Sequence, residues 1–187
     1  MAADIEIKGV SFLGFLTGIK RGDGPEALAR VLAEVPGPGG EALRHGEVLA
    51  GGWYPVVWYK ALLTTIEQSF PDGRAHVRAL SRAAVVGDFS TLFRLVSLVV
   101  SPESALKNAV RVMSKYFKGG TVEVVSAGAQ SVRYRFAGFY GFDSLCWADT
   151  MGGMEGVLVA MRTTDPTVRI VEGGTSDWCV AEATWKK

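Results

Sequence analysis

Histidine and cysteine are almost missing from this chain, with two of each in 187 residues. That scarcity removes most of the ordinary routes to catalysis. His45 and His76 have no metal-binding or nucleophile pattern around them, and the absent G-x-S-x-G elbow leaves a hydrolase triad no anchor. Cys146 and Cys179 lack C-x-x-C spacing and read as reduced, buried thiols, small hydrophobes in effect. Gly37-Pro-Gly-Gly follows a helix, with no Lys-Ser/Thr after it, so it is neither a dinucleotide fingerprint nor a phosphate loop. Charge of one sign is lacking too. The net charge is +1 and the basic residues are scattered, which gives nucleic acid no footprint. Apolar stretches such as Gly156 to Met161 fall far short of the roughly 20 residues that cross a bilayer. Residues 1–8 hold neither a basic n-region nor a long apolar run, so a cytoplasmic protein is expected.

What is present is a globular composition, 48% hydrophobic and 21% charged, long enough for one substantial core in a single domain spanning residues 1–187. Residues 5–12 alternate partially and suggest an edge strand running into the apolar segment 13–19. Pro25 opens a helix whose apolar face is Ala27, Leu28, Val31, Leu32 and Val35. Pro36 to Gly40 reads as a turn, followed by a short amphipathic piece through Leu43. A break at 51–55 precedes a helix to about Phe70, with Val56, Tyr59, Leu62, Leu63, Ile66 and Phe70 at helical spacing. Helices near 74–86 and 89–99, separated by Gly87-Asp88, come next. Ser101 and Pro102 then cap a helix over 102–117.

From residue 120 the period changes to two. Val122 and Val124, then Val132, Tyr134 and Phe136, alternate with polar neighbours, and Ala127-Gly128-Ala129 reads as the hairpin connection between them. A helix over about 144–162 and strands near 167–172 and 178–185 complete the chain. The expected architecture is α+β: a helical layer on a twisted antiparallel sheet, with a C-terminal β-β-α-β-β arrangement.

The 144–162 helix carries Ala148, Gly152, Gly156 and Ala160 on one face, because four residues slightly exceed one turn. Such a stripe either admits another backbone or leaves floor space for a ligand. We expect it to face the β-layer. Around it, Trp147 and Met151, together with the aromatic group Trp53, Tyr54, Trp58 and Tyr59, are candidates to line an apolar pocket. Ordinary core packing explains the same residues. No catalytic residue and no metal ligand set emerges from the residues themselves.

The motifs Gly52-Trp-Tyr-Pro55, Gly87-Asp-Phe-Ser-Thr-Leu-Phe-Arg94, Ser101-Pro-Glu103 and Asp177-Trp-Cys-Val-Ala-Glu182, taken in order, resemble an uncharacterised, mainly myxobacterial family of proteins of similar length. The C-terminal part is also similar to the 4-vinyl-reductase-like superfamily, related in fold to TRAPP-type trafficking subunits and haem-NO-binding domains. The resemblance implies an apolar cavity between layers, a homodimer, and binding of a small hydrophobic molecule or of a protein partner in a sensory or assembly role. Some relatives hold zinc with cysteines and a carboxylate; Cys146 and Cys179 fall close to two such positions, with Glu172 a looser match. The loop Gly173-Gly-Thr-Ser offers no further cysteine, so no metal is expected. A Tyr-x-Ser-x-Arg motif and an axial histidine are both lacking, so haem and gas sensing are not carried over and no cofactor is expected. The leading expectation is a non-catalytic module with a pocket between the 144–162 helix, the sheet and the Trp53–Tyr59 region. A protein scaffold with a filled core is the alternative, and a small reductase or isomerase of a hydrophobic substrate the third.

Overall fold

Alternation with period two becomes strand wherever one side of the chain is buried. In β5 (Ser131–Ala137), Val132, Tyr134 and Phe136 are buried while Arg133 and Arg135 are exposed. The computed structural model describes residues 5–92 and 115–186. Three short strands, β1 (Glu6–Lys8), β2 (Trp53–Pro55) and β3 (Phe117–Lys118), form one antiparallel sheet in the order β2-β1-β3. The second sheet joins β4 (Thr121–Gly128), β5, β6 (Thr164–Gly173) and β7 (Cys179–Lys186) in the order β4-β5-β7-β6, antiparallel throughout. Five helices, α1 (Gly9–Gly22), α2 (Pro25–Glu34), α3 (Gly37–Arg44), α4 (Val56–Ser69) and α5 (Arg74–Leu92), precede this sheet, and α6 (Ser144–Ala160) links its two halves. The C-terminal β-β-α-β-β arrangement and the α+β class are as the sequence implies. Among the described residues no helix is long and apolar enough to cross a membrane.

Several elements depart from expectation, each for a physical reason. Residues 5–12 are strand only to Lys8. From Gly9 onward Phe12, Phe15 and Ile19 are the buried positions, a helical spacing, and they make the inner face of α1. The 36–40 segment is a helix start rather than a turn. Pro38 sits in its first turn, and Gly39 and Gly40 are there because a Cβ would lie 2.8 Å from the Trp58 side chain and 1.9 Å from the Val35 carbonyl oxygen. The break expected at 51–55 contains β2, which pairs with β1. Gly87-Asp88 does not interrupt its helix; α5 runs through it to Leu92, since one interior glycine costs only about 1 kcal/mol. The rest of the 89–99 helix and most of the 102–117 helix lie outside the described residues, and Phe117–Lys118 is strand, paired with Glu6–Ile7. The hairpin turns at Ala129-Gln130, because β4 continues to Gly128 past a bulge between Val124 and Ser126.

α6 is capped by Asp143, whose carboxylate accepts from the N–H groups of Leu145 and Cys146, both at 3.0 Å. Lys60 of α4 holds the other carboxylate oxygen at 3.0 Å. Burial alone would raise the Asp143 pKa, but the Cys146 N–H and Lys60 outweigh it and hold the carboxyl below its usual range. The helix is buried almost all round, as a central element must be.

Candidate functional site

The small edge of α6 points inward, but onto a helix and not onto the sheet. A Cβ at Gly152 would sit 2.3 Å from the Arg78 carbonyl oxygen, and one at Gly156 would sit 2.7 Å from that of Arg82 and 2.8 Å from Val85 Cβ. The expectation of a β-layer partner is therefore corrected: the glycines bring the backbones of α5 and α6 together and leave no floor between them. Periodicity assigns a face, and two layers competed for this one. Arg78 reinforces the seam, its guanidinium bonding Glu155 of α6 at 2.6 and 3.2 Å and also donating to the Val168 carbonyl of β6. Glu155 in turn accepts from the Val168 N–H at 3.3 Å.

Within this seam lies a buried polar node. The Tyr59 hydroxyl donates to Asp149 Oδ2 at 3.1 Å, and Ser81 of α5 donates to the Asp149 carbonyl at 2.8 Å. Asp149 is 7% exposed and no cation bonds its carboxylate among the described residues. Burial pushes its pKa up to about 6 against the pull of the Ser81 and Tyr59 hydroxyls, and burial raises the Tyr59 phenol well above its ordinary value. Asp149 was missed at the sequence level, although a carboxylate inside the apolar run Leu145 to Met154 was the available signal.

The other candidates fall in three places. Trp147 is fully buried, with Phe136, Phe139 and Phe142 ringed around it at 4.9–5.5 Å, and its indole N–H donates to the Ser176 carbonyl at 2.7 Å. Met151, also buried, follows one turn on from Trp147. Tyr59 packs edge-on against Phe12 and Phe15. Tyr54 stacks on Trp58 at 5.6 Å, and its hydroxyl accepts from Leu49 N–H at 2.8 Å and donates to the Glu47 carbonyl at 3.3 Å. Trp53 lies under the ammonium groups of Lys8 and Lys118, at 5.4 and 4.7 Å. Tyr59 thus meets α6 through Asp149, whereas Trp53, Tyr54 and Trp58 belong to the edge of the three-stranded sheet and to the α3–α4 packing.

One interior group is out of balance. Tyr134 is 1% exposed, and its hydroxyl is, among the described residues, the one buried side-chain polar atom without a hydrogen-bond partner. Burial raises its phenol well above the ordinary value. The thiols of Cys146 and Cys179 are likewise held protonated by burial, the latter pushed up to about 12. Glu172 is exposed and its strand partner is Val180, and no group of three or more His, Cys, Asp or Glu is placed to hold a metal among the described residues.

No protein-family model and no curated protein matches the chain. Solved structures do. The Fe(II) unliganded H-NOX protein from K. algicida is similar at TM-score 0.70 and 13% identity, over 97% of this chain and 97% of that one. An H-NOX protein from S. oneidensis in the Fe(II)NO state matches at 0.68 and 12%, over 97% and 100%. An oxygen-binding H-NOX domain related to soluble guanylate cyclases, in its oxygen complex, matches at 0.66 and 12%, over 97% and 96%. The described residues of the chain therefore have the fold of H-NOX domains. Among the described residues, neither the histidines nor the thiols are suited to hold haem iron. Iron in haem takes histidine, thiolate, methionine or tyrosinate as its protein ligand. Here His45 is exposed at the end of α3, and His76 is stacked on Phe70 at 4.0 Å and paired with Asp23 at 3.2 Å. Both thiols and the Tyr134 phenol are kept neutral by burial.

Proposed function

We propose that this protein is a non-catalytic, ligand-binding module with a sensory or regulatory role, and that it takes a small hydrophobic molecule rather than haem. What carries the reading is the match of 97% of this chain to a fold whose solved members include an NO-ligated and an oxygen-bound state, combined with histidines and thiols unsuited to iron. The ligand would lie in the interior served by α6, the four-stranded sheet and α4. Tyr59, Trp147 and Met151 would line it, Gly152 and Gly156 would fix α6 against α5, and Trp53, Tyr54 and Trp58 would form its outer boundary. A homodimer, or a protein partner, would read out occupancy in the cytoplasm.

Native mass spectrometry of the purified full chain, with a parallel haemin titration followed by absorbance, tests this. The expected result is a dimer that releases a small apolar molecule on denaturation and gives no stoichiometric haem complex. Haem bound at one per chain would overturn it. A protein that holds no releasable molecule but captures a stable protein partner would favour the scaffold role instead.

A further inference from the structure

The inner face of the four-stranded sheet is graded from solvent to core along one cross-strand row. Val124 of β4 stands opposite Tyr134, which stands opposite Ala181 of β7, which stands opposite Ile170 of β6. Directly paired residues share a face. Val124 is 36% exposed, Tyr134 1% and Ala181 0%, and Ile170 is half-buried, so the row begins at an open edge, passes through the core at Tyr134 and Ala181 and emerges part-way at β6. The β4 bulge falls right after Val124, where it locally ends regular pairing. Beside the phenol ring, Ala181 and Ala183 on β7 are the smallest side chains the face could carry, so the ring stands above its neighbours on that side.

A hydroxyl in such a place is not neutral. Leaving a buried donor unpaired costs about 1–3 kcal/mol, and phenylalanine would fill the same ring volume without that cost. Nothing in the packing calls for the oxygen. The buried row contains no charged residue, because Arg133 and Arg135 project from the opposite face, where Arg133 pairs with Glu182 at 2.9 Å. With its pKa raised by burial, the phenol keeps its proton and acts as a donor.

We propose that the ligand is held against the Tyr134–Ala181 floor, entering beside Val124, and that it is an uncharged apolar molecule bearing one hydrogen-bond-accepting oxygen, which receives the Tyr134 hydroxyl. This rests on the ligand-binding reading above and narrows it to one anchor and one ligand class. Charged ligands are disfavoured because the described residues of this face supply no counter-ion, and purely hydrocarbon ligands because they leave the hydroxyl unpaired.

The test compares acetophenone with ethylbenzene, a pair differing by a carbonyl oxygen, by calorimetric titration of the full-length wild type, Tyr134→Phe and Ala181→Leu. Wild type should bind acetophenone about 5–10-fold more tightly than ethylbenzene, the worth of one hydrogen bond. Tyr134→Phe should abolish that preference while leaving ethylbenzene affinity unchanged, and its ligand-free melting temperature should equal or exceed that of wild type. Ala181→Leu should weaken both probes. An acetophenone preference that survives Tyr134→Phe would overturn the anchor but leave the ligand-binding reading standing. A lower ligand-free melting temperature for Tyr134→Phe would show that the hydroxyl already has a partner, such as a trapped water, and would overturn it too. If neither probe binds the wild type, both the anchor and the wider reading fall.

Discussion

The two sides of α6 are built on opposite rules. Toward α5 the contact is backbone against backbone, through Gly152 and Gly156, with Asp149, Ser81, Tyr59, Arg78 and Glu155 all hydrogen-bonded across or beside it. Toward the sheet the contact is made of large side chains, Trp147 among Phe136, Phe139 and Phe142, with Ala181 and Ala183 of β7 beside Tyr134 and its phenol left unpaired. A seam with no slack and all its polar groups answered sets geometry. The face of aromatic side chains, by contrast, keeps one donor unanswered. Both kinds of contact are made by the same seventeen-residue helix.

The sharpest way to break the comparison is Gly152→Ala. Its methyl group would meet the main-chain oxygen of Arg78, which no side-chain rotation relieves, so a loss of about 3 kcal/mol or more is expected in urea unfolding. A loss below about 1 kcal/mol would show that the seam yields.

Acid–base titration of the same seam comes next. Asp149 has a folded-state pKa of about 6 against an unfolded value of about 3.9, so the folded protein binds the extra proton between them. The stability this confers is present below pH about 4 and is lost as pH rises through about 6, by roughly 3 kcal/mol in all. Unfolding free energies measured from pH 4 to 7 should show this fall in the wild type and lose it in Asp149→Asn. An unchanged slope in the variant would mean that the carboxylate is solvated.

Tyr59→Phe removes the main donor to that carboxylate and should cost about 1–3 kcal/mol, while moving the midpoint of the pH-dependent fall upward. A downward or unchanged midpoint would contradict the assigned hydrogen bond. The smallest effect is expected on the solvent side of the sheet. There Glu182→Gln weakens two exposed pairs, to Arg133 at 2.9 Å and Arg169 at 2.7 Å, and should cost under about 1 kcal/mol, vanishing in high salt.

Much of this contrast was legible in the residue pattern, and the limits are instructive. Val132-Arg-Tyr-Arg-Phe136 announces a half-buried strand because one face alternates strictly with the other. The glycine stripe announces a close approach, but pattern gives an angular position on α6 and never the identity of what lies opposite. That is why the sheet was expected where α5 stands. Gly39 and Gly40 hid α3, since glycine next to proline reads as a turn until Trp58 and the Val35 carbonyl are seen to need the space. Strands of two or three residues, such as β2 and β3, carry too few alternations to register, and β1 was legible only as the start of a longer stretch. Of the candidate site residues, Tyr59 reaches α6 through Asp149, whereas Trp53, Tyr54 and Trp58 pack at the edge of the three-stranded sheet and between α3 and α4. Asp149 and the Tyr134 hydroxyl could be recognised only once their surroundings were known, because what distinguishes them is the balance of donors around one atom.

Arg78 has a mechanical consequence. Its carbonyl abuts Gly152, its guanidinium grips Glu155, and the same guanidinium holds the main chain of β6 at Val168. Sliding α5 along its neighbour by a single residue would tear all three attachments at once. Helix, helix and edge strand are thereby pinned to one another through a single residue.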